Sequence, residues 1–531
     1  MSFLTTVCFL IGLLAWIPSI SAEDVPCAFR AGVCVCNETY CDQFDFVRPN
    51  EEREFKVVTS SAAGKRYESQ AGEMDTLPTV PIFPFLPITD ATLSIDRTSQ
   101  FQEMIGFGGA VTGSVRYLYN ATTDPIRRKL LDSVFTSGGL AYTLIRTSIG
   151  GCDFDLKKYA FFEDHQPDSL DLPSINESDP NWDQASGLVY MLNRIFEVKP
   201  QSELKLFAAV WSPPVWMKTC EDWSGWFCTL KPEFNQTYAD YHLRFLEFMK
   251  ANGIDVYAIS TGNEPTNGIV GLTDIMSLGW WPSDQGKWVS KNLGPTLKNS
   301  PFSNVKILTG DDQRWEMPLS FGLMELGAAD VMNYIDMFGV HWYWDDYIPA
   351  FLNDVAHIAY PTKLILNTES CSGSGLGDPR RGPVSGSWDR CEDYVSKYIK
   401  SFLHWNTGWI DWNLWLNEQG GPVNIDNAVD ASIIVNETTG NEFYKQPMYF
   451  GIGHFSKFIS TGCKRIASYL STVSLGIEAV AFECSDNTVT VILHNRELFA
   501  KTIRLVDTQM EARIELSLDA KSVTSVVYVY N

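Results

Sequence analysis

Glu264 and Glu369 are the residues of this chain best placed for acid–base chemistry. Glu264 stands in Thr261-Gly-Asn-Glu-Pro265, just past the apolar run Val256–Ser260, and Glu369 stands in Asn367-Thr-Glu-Ser-Cys371, just past Leu364–Asn367. A carboxylate at the end of a buried strand is costly unless it is hydrogen-bonded or put to use. Two of them on opposite walls of one pocket suit glycoside hydrolysis. One protonates the leaving oxygen, and the other attacks the anomeric carbon or activates water. Other strand ends are polar and aromatic in the same way: Cys152-Asp153, Trp211-Ser-Pro-Pro-Val-Trp216, Asp311-Asp312, His341-Trp-Tyr-Trp344 and Trp412-Asn413. A sugar stacks its C–H face on Trp or Tyr while Asp and Asn bond its hydroxyls. Any one of these tryptophans could be core, but their clustering at strand ends turns the set toward ligand contact. His341 reads as a residue that orients a neighbouring carboxylate.

The elements that must position these groups are legible as alternation. Short apolar runs at Phe107–Val111, Tyr142–Arg146, Leu204–Val210, Val256–Ser260, Val305–Leu308, Met337–Val340, Leu364–Asn367 and Trp409–Trp412 are separated by amphipathic stretches such as Tyr238–Ala251. Eight strands separated by helices predict a (β/α)8 barrel, with active groups at its C-terminal mouth. A doubly wound sheet fits the alternation nearly as well, but it would normally carry a Gly-rich phosphate turn after an early strand. Gly373-Ser-Gly-Leu-Gly377 imitates such a turn; Pro379 and the lack of a following helix make it a mobile loop beside Glu369. Past Lys445, strand-like runs at near-regular spacing predict a β-sandwich, to which Glu54–Val58 and Ala91–Ile95 could add strands.

Composition narrows the function. The 531 residues hold 41 basic and 64 acidic side chains, a net charge of −23. Nothing in that balance would neutralise phosphates, which excludes nucleic acid, and it opposes docking on an anionic membrane at neutral pH. Phe3–Ile17 is apolar, too short to span a bilayer, and followed by Pro18 and small residues, so residues 1–22 are expected to be a cleaved secretory signal. Export predicts disulfides. Cys27, Cys34, Cys36 and Cys41 form a crowded N-terminal group with a zinc knuckle as the rival reading. Cys220 with Cys228, Cys371 with Cys391, and Cys463 with Cys484 make local loops, leaving Cys152 free. Sequons stand at Asn37, Asn120, Asn176, Asn235 and Asn436, and any that is used must lie on the surface. No HExxH, EF-hand or G-x-S-x-G pattern occurs, and the seven His are scattered, so neither a metal nor a cofactor is expected.

The set Phe107-Gly-Gly-Ala110, Cys152-Asp-Phe154, Trp211-Ser-Pro-Pro-Val-Trp216, Asn263-Glu-Pro265, Asp311-Asp-Gln-Arg314, His341-Trp-Tyr343, Ser387-Trp-Asp-Arg390, Asp411-Trp-Asn413, Phe443-Tyr-Lys-Gln-Pro447 and His454-Phe-Ser-Lys-Phe458 closely resembles the lysosomal acid glucosylceramidases, a family of retaining glycoside hydrolases. The resemblance covers nearly the whole mature chain and is looser at 173–199 and after Cys463. It implies a (β/α)8 barrel at about 99–413 plus about 447–461. It also implies a discontinuous immunoglobulin-like sandwich at about 51–98 plus about 462–531, and a small disulfide-bearing sheet at 23–50 plus about 414–446. It implies Glu264 as general acid/base, Glu369 as nucleophile, and Asn263 on the sugar 2-hydroxyl. Asp153, Trp211, Trp412 and Asn427 match glucose-pocket positions, and Tyr343 matches a residue beside the nucleophile. The implied reaction is hydrolysis of glucosylceramide to glucose and ceramide, without cofactor. The implied setting is a membrane or vesicle in the lysosomal lumen, or outside the cell as a second choice, with a saposin-like activator and anionic lipid as partners. Cys220, Cys228, Cys391, Cys463 and Cys484 depart from the family pattern, as does Ala428, which stands where an aromatic is expected and widens the pocket rim. Two rival readings stay open: hydrolysis of another β-linked glycoside (galactosyl lipid, xylan or plant glucoside), and a secreted glycolipid-binding protein without catalysis.

Overall fold

The eight apolar runs become eight parallel strands that close on themselves. In the computed structural model, which describes residues 28–77, 89–165, 170–375, 378–471 and 476–530, they span Gly106–Ala110, Leu144–Ser148, Lys205–Ala209, Ala258–Ser260, Lys306–Gln313, Met337–His341, Leu364–Glu369 and Asn406–Asn413. Each pairs with its sequence neighbour, and the eighth returns to the first through Gly408 opposite Gly106. The first two strands meet tightly. A Cβ at Gly108 would lie 2.0 Å from the Leu144 carbonyl oxygen, so only glycine fits there.

Side-chain alternation then sets the barrel's interior. Ile105, Leu144, Phe207, Ala258, Leu308, Met337, Leu366 and Ile410 form one buried apolar cluster, each from or beside a different strand. Stepping two or four residues on from that layer gives Arg146, Trp211, His341 and Trp412. The same parity that plugs the barrel with aliphatic groups therefore stacks polar and aromatic groups above them, toward the mouth.

The other strands build two sheets. Ala28–Arg30, Val33–Asn37, Glu442–Lys445, Ile433–Val435 and Leu416–Asn417 form a five-stranded sheet. Ten more form the β-sandwich, in one continuous hydrogen-bonded order that passes through the 13-residue strand Ala91–Glu103. The last strand, Ser522–Val529, pairs with Glu54–Ser61. The helix Pro447–Ser456 is buried along its whole length, and His454 bonds both Ser525 Oγ (2.8 Å) and Ser60 Oγ (3.0 Å) of the sandwich.

Several expectations change. The long strand carries the sandwich to Glu103 rather than about residue 98. Asp311 and Asp312 lie inside the fifth strand, which runs on through a register shift between Gly310 and Asp312. Glu369 closes its strand rather than following it. Disulfides join Cys36 to Cys41, Cys220 to Cys228 and Cys463 to Cys484, and Cys34 is also disulfide-bonded. The Cys36–Cys41 bond removes both thiolates from the zinc-knuckle reading. Cys371 and Cys391 are not joined. Cys371 Sγ sits 3.3 Å from Tyr343 Oη, whereas Cys391 lies in the helix Trp388–Leu403 against Gly451. Cys152 is a free, buried thiol. Residues 1–22, Cys27 and part of the Gly-rich loop (376 and 377) lie outside the described residues. Asn120 and Asn176 are exposed, while Asn37, Asn235 and Asn436 are partly covered.

The unbonded thiols give a direct check. Alkylation of the unreduced, denatured chain followed by peptide mapping should label Cys152, Cys371 and Cys391 and leave the three bridged pairs unlabelled. A peptide cross-link between Cys371 and Cys391 is the outcome that contradicts the structure.

Candidate active site

Strand ends four and five deliver the first carboxylate. Glu264 has φ 42° and ψ 61°, a left-handed conformation that costs a non-glycine residue about 1–3 kcal/mol. Asp311 shares that conformation at φ 53°. The two are tied together, since the Glu264 N–H donates to the Asp311 carbonyl at 2.9 Å. Beyond them, Pro265 starts a short helix. Its Thr266 N–H donates to Asp312 Oδ2 at 3.1 Å, and the Thr266 hydroxyl donates to the buried Glu316 at 2.5 Å. The strained turn is thus clamped by the fifth strand. It aims the Glu264 side chain into the mouth, where Oε1 accepts from Gln313 Nε2 (2.9 Å) and meets His341 Nδ1 (2.8 Å), while Oε2 accepts from Asn267 Nδ2 (2.7 Å).

The seventh strand delivers Glu369. Arg146 Nη1 donates to its Oε2 at 2.5 Å, and Tyr343 Oη donates to its Oε1 at 2.8 Å. Arg146 is almost wholly buried and also donates to Asn263 Oδ1 (2.7 Å) and Asp311 Oδ2 (3.1 Å). Its guanidinium lies over the rings of Trp211 and Trp412, at 4.8 and 5.6 Å from their centroids. Those two rings stack on each other at 5.3 Å. Asn427 Nδ2 bonds Asp153 Oδ2 at 2.8 Å on the adjoining wall.

One carboxylate oxygen of Glu264, one of Glu369 and a His341 ring nitrogen all lie within 4.8 Å of one another. All eight residues singled out from sequence (Asp153, Trp211, Asn263, Glu264, Tyr343, Glu369, Trp412 and Asn427) line the same cavity of about 630 Å³. Arg146, Gln313 and Asn267 were not foreseen as site residues. For Arg146 a signal existed: it shares inward parity with Leu144, and a charged side chain inside a barrel needs charged partners. The trio Glu264, His341 and Glu369 has the proximity of a metal-ligand set. However, both His341 ring nitrogens face carboxylates, and Arg146 and Tyr343 take both Glu369 oxygens, so a cation would have to displace them.

The charges are mutually adjusted. Burial works to lower His341, but the Glu369 charge and its bonds to Asp311 and Glu264 raise it to about 10, so its imidazolium donates from both nitrogens. Burial works to raise Asp311, yet Arg146 and His341 hold it well below the usual carboxylate range. Burial and the Glu369 charge push Asp153 up to about 7, and burial and the Glu264 charge do the same to Asp312.

The sequence comparisons agree with this geometry. Residues 104–459 match the glycosyl hydrolase family 30 TIM-barrel domain, and residues 462–526 match the glycosyl hydrolase family 30 beta sandwich domain. The chain belongs to glycoside hydrolase family 30. This family 30 chain is 33% identical over 473 residues to the lysosomal acid glucosylceramidase of Mus musculus, covering 88% of each chain. It is similar in structure to SrfJ from Salmonella typhimurium, with a TM-score of 0.79 and 22% identity over 90% of this chain and 100% of that one. It is also similar to the endo-β1,6-glucanase BT3312, with a TM-score of 0.75 and 25% identity over 90% and 100%. The chain is a glycosidase of this family, with a barrel and a sandwich domain.

Raised carboxyls have a consequence for stability. Asp153, Asp312 and Asp411 are each pushed, chiefly by burial, to about 7. The folded chain then holds more protons than the unfolded chain between about pH 4 and 7, so their contribution is complete below that window and is lost as pH rises through it. Tm should therefore fall between pH 5 and pH 8. Asp411→Asn, at a site that accepts from Tyr394 and Ser370, should reduce the stability lost between pH 5 and pH 8 by on the order of 2–3 kcal/mol; an unchanged pH dependence in the variant would rule out Asp411 as its source.

Proposed function

We propose that the chain hydrolyses glucosylceramide to glucose and ceramide by double displacement, with Glu369 as nucleophile and Glu264 as acid/base. The observation that carries this reading is the approach of the two carboxylates. Oxygens within 4.8 Å suit the separation of about 5–5.5 Å between the carboxyl groups of retaining enzymes rather than the roughly 6.5–9.5 Å of inverting ones. Glu369 attacks the anomeric carbon, and its bonds from Arg146 and Tyr343 fix its orientation for that step. Glu264 gives its proton to the departing ceramide oxygen. Its Oε2, with one hydrogen bond against the two partners of Oε1, is the oxygen with room for that proton. Water then enters on the same face. Glu264 takes its proton, and the ester to Glu369 breaks with net retention. The Trp211–Trp412 pair supplies the stacking wall, and Asp153, Asn263 and Asn427 supply hydroxyl partners.

The lipid aglycone is supported by the cavity's edge. Leu272, Trp315 and Trp344 line it and are also exposed, an apolar rim that suits ceramide better than a polyhydroxylated glucan. Comparing glucosylceramide with β-1,6-glucan and with aryl galactoside and xyloside decides the substrate; faster turnover of the glucan would overturn the lipid assignment. We place the enzyme in an acidic compartment of the secretory route, the lysosomal lumen, on the strength of its disulfides and acid-tuned carboxyls.

Two measurements test the mechanism. Glu369→Gln should show no turnover on any glucoside. Glu264→Gln should lose roughly 10²–10⁴-fold on poor leaving groups while sparing the first step with activated aryl glucosides. Near-normal rates for Glu369→Gln would end the role assignment. The pH–rate profile should peak at about pH 5 and fall through about pH 7 as Asp153 and Asp312 ionise and load the cavity with negative charge. A maximum on the alkaline side of neutrality would contradict both the charge argument and the lysosomal placement.

A further inference from the structure

The two oxygens of the Glu264 carboxyl are held from different places. Oε1 is tied to the fifth and sixth strands through Gln313 and His341, whereas Oε2 is held by Asn267 Nδ2 at 2.7 Å. Asn267 belongs to the helix Pro265–Val270, which has only six residues. A helix that short is not stable alone, and its last four carbonyls have no partner within it. Three of those carbonyls are satisfied here. The Gly271 N–H caps Asn267 at 2.8 Å. The other two donors come from a loop more than forty positions earlier in the chain: the Cys228 N–H bonds the Gly268 carbonyl at 2.7 Å, and the Phe227 N–H bonds that of Ile269 at 3.2 Å.

That loop is a strap with little core of its own. From Thr219 to Phe227 none of its residues is buried, so packing does little to offset the entropy of ordering it. It is closed instead by the Cys220–Cys228 disulfide, whose second cysteine is fully buried. Beside the bridge, the Thr219 N–H donates to the Thr229 carbonyl at 2.9 Å. Lys218 Nζ steadies the middle through the Trp223 carbonyl at 2.8 Å. On the side away from the helix, Ser277 N–H bonds the Trp223 carbonyl (3.0 Å) and Gly279 N–H bonds that of Cys228 (2.8 Å). Strap and helix meet backbone to backbone, since a Cβ at Gly271 would lie 2.5 Å from the Trp226 nitrogen. Such a junction has no side chains to cushion a shift of the strap. Cys220 and Cys228 are also among the cysteines that depart from the family pattern.

We infer that the Cys220–Cys228 bridge is a positioning device for the acid/base. Through the Phe227 and Cys228 N–H groups it fixes the helix Pro265–Val270, and through Asn267 it sets the direction in which Glu264 Oε2 presents its proton to the glycosidic oxygen. The nucleophile lies off this path, because the partners of Glu369 are Arg146 and Tyr343. Opening the bridge therefore loosens proton transfer and leaves nucleophilic attack intact. The inference rests on the reading of Glu264 as acid/base.

The experiment compares two soluble substrates: 2,4-dinitrophenyl β-glucoside, whose leaving group departs without a proton, and phenyl β-glucoside, whose leaving group needs one. In the variant Cys220→Ser with Cys228→Ala, kcat/KM for the phenyl glucoside should fall about 10- to 100-fold, while that for the dinitrophenyl glucoside stays at the wild-type value. On the dinitrophenyl glucoside, kcat and KM should fall together, because a slower base step lets the glucosyl-enzyme accumulate. Asn267→Ala, with the bridge intact, should reproduce this pattern and add nothing further in the unbridged background. Equal losses on both glucosides, or none on either, overturn the proposal. A second arm needs no variant and so does not depend on how the unbridged chain folds. Wild type is partly reduced with a phosphine, and the open cysteines are mapped by alkylation. The phenyl-to-dinitrophenyl ratio of kcat/KM should fall with the fraction of Cys220–Cys228 that is open. A ratio that stays constant, or follows Cys36–Cys41 or Cys463–Cys484 instead, overturns the proposal. Unimpaired phenyl glucoside turnover in Glu264→Gln would overturn the acid/base reading itself, and the inference with it.

Discussion

A single buried cation holds the centre of this molecule together. The Arg146 guanidinium bonds Glu369, Asn263 and Asp311 from below while two indole rings cover it. A lone charge at that depth would cost several kcal/mol, and so would each acid around it. Together they satisfy one another, and the arrangement tolerates little displacement. The fifth, second and seventh strands are thereby held in register at the level where the cavity begins. His341 extends the network by linking Asp311 to Glu264, so both opposed glutamates are anchored through the same acid.

This network also explains where the backbone is strained. Glu264 and Asp311 both adopt left-handed conformations, and a hydrogen bond joins them. Such conformations persist where surrounding structure over-determines them. Here the Asp311 carboxylate is held by Arg146 and His341, and Thr266 is held by Asp312 and Glu316. The strain places a carboxylate at a mouth that a regular strand–helix junction would not reach.

Much of this was legible in the chain. The apolar runs located all eight barrel strands, and residue types at their ends located the cavity wall. What escaped was what depends on convergence. Arg146 looks like the polar end of a strand until residues more than a hundred positions away arrive beside it. Gln313 and Asn267 are ordinary polar residues in sequence and acquire meaning only by touching Glu264. The Cys371–Cys391 pairing failed for a related reason. Loop length made the bond plausible, but Cys371 is committed to the wall beside Tyr343 and Cys391 to a helix packed on Gly451, and bond formation needs aligned Cβ vectors rather than proximity in sequence. The fifth strand was cut short because Asp311 and Asp312 read as loop residues, although the barrel keeps them by burying and pairing them.

The fully enclosed helix Pro447–Ser456 has a bearing on how the molecule is made. Its His454 is satisfied only when Ser60, near the start of the chain, and Ser525, near its end, are both present. The strand that carries Ser525 is the partner of Glu54–Ser61. The ribosome must therefore release almost the entire polypeptide before the layer behind the barrel can assemble, and until then that helix offers an uncovered oily surface to the nascent protein's surroundings. Chaperone dependence during synthesis, and degradation of chains cut short by only a few C-terminal residues, follow from this late closure.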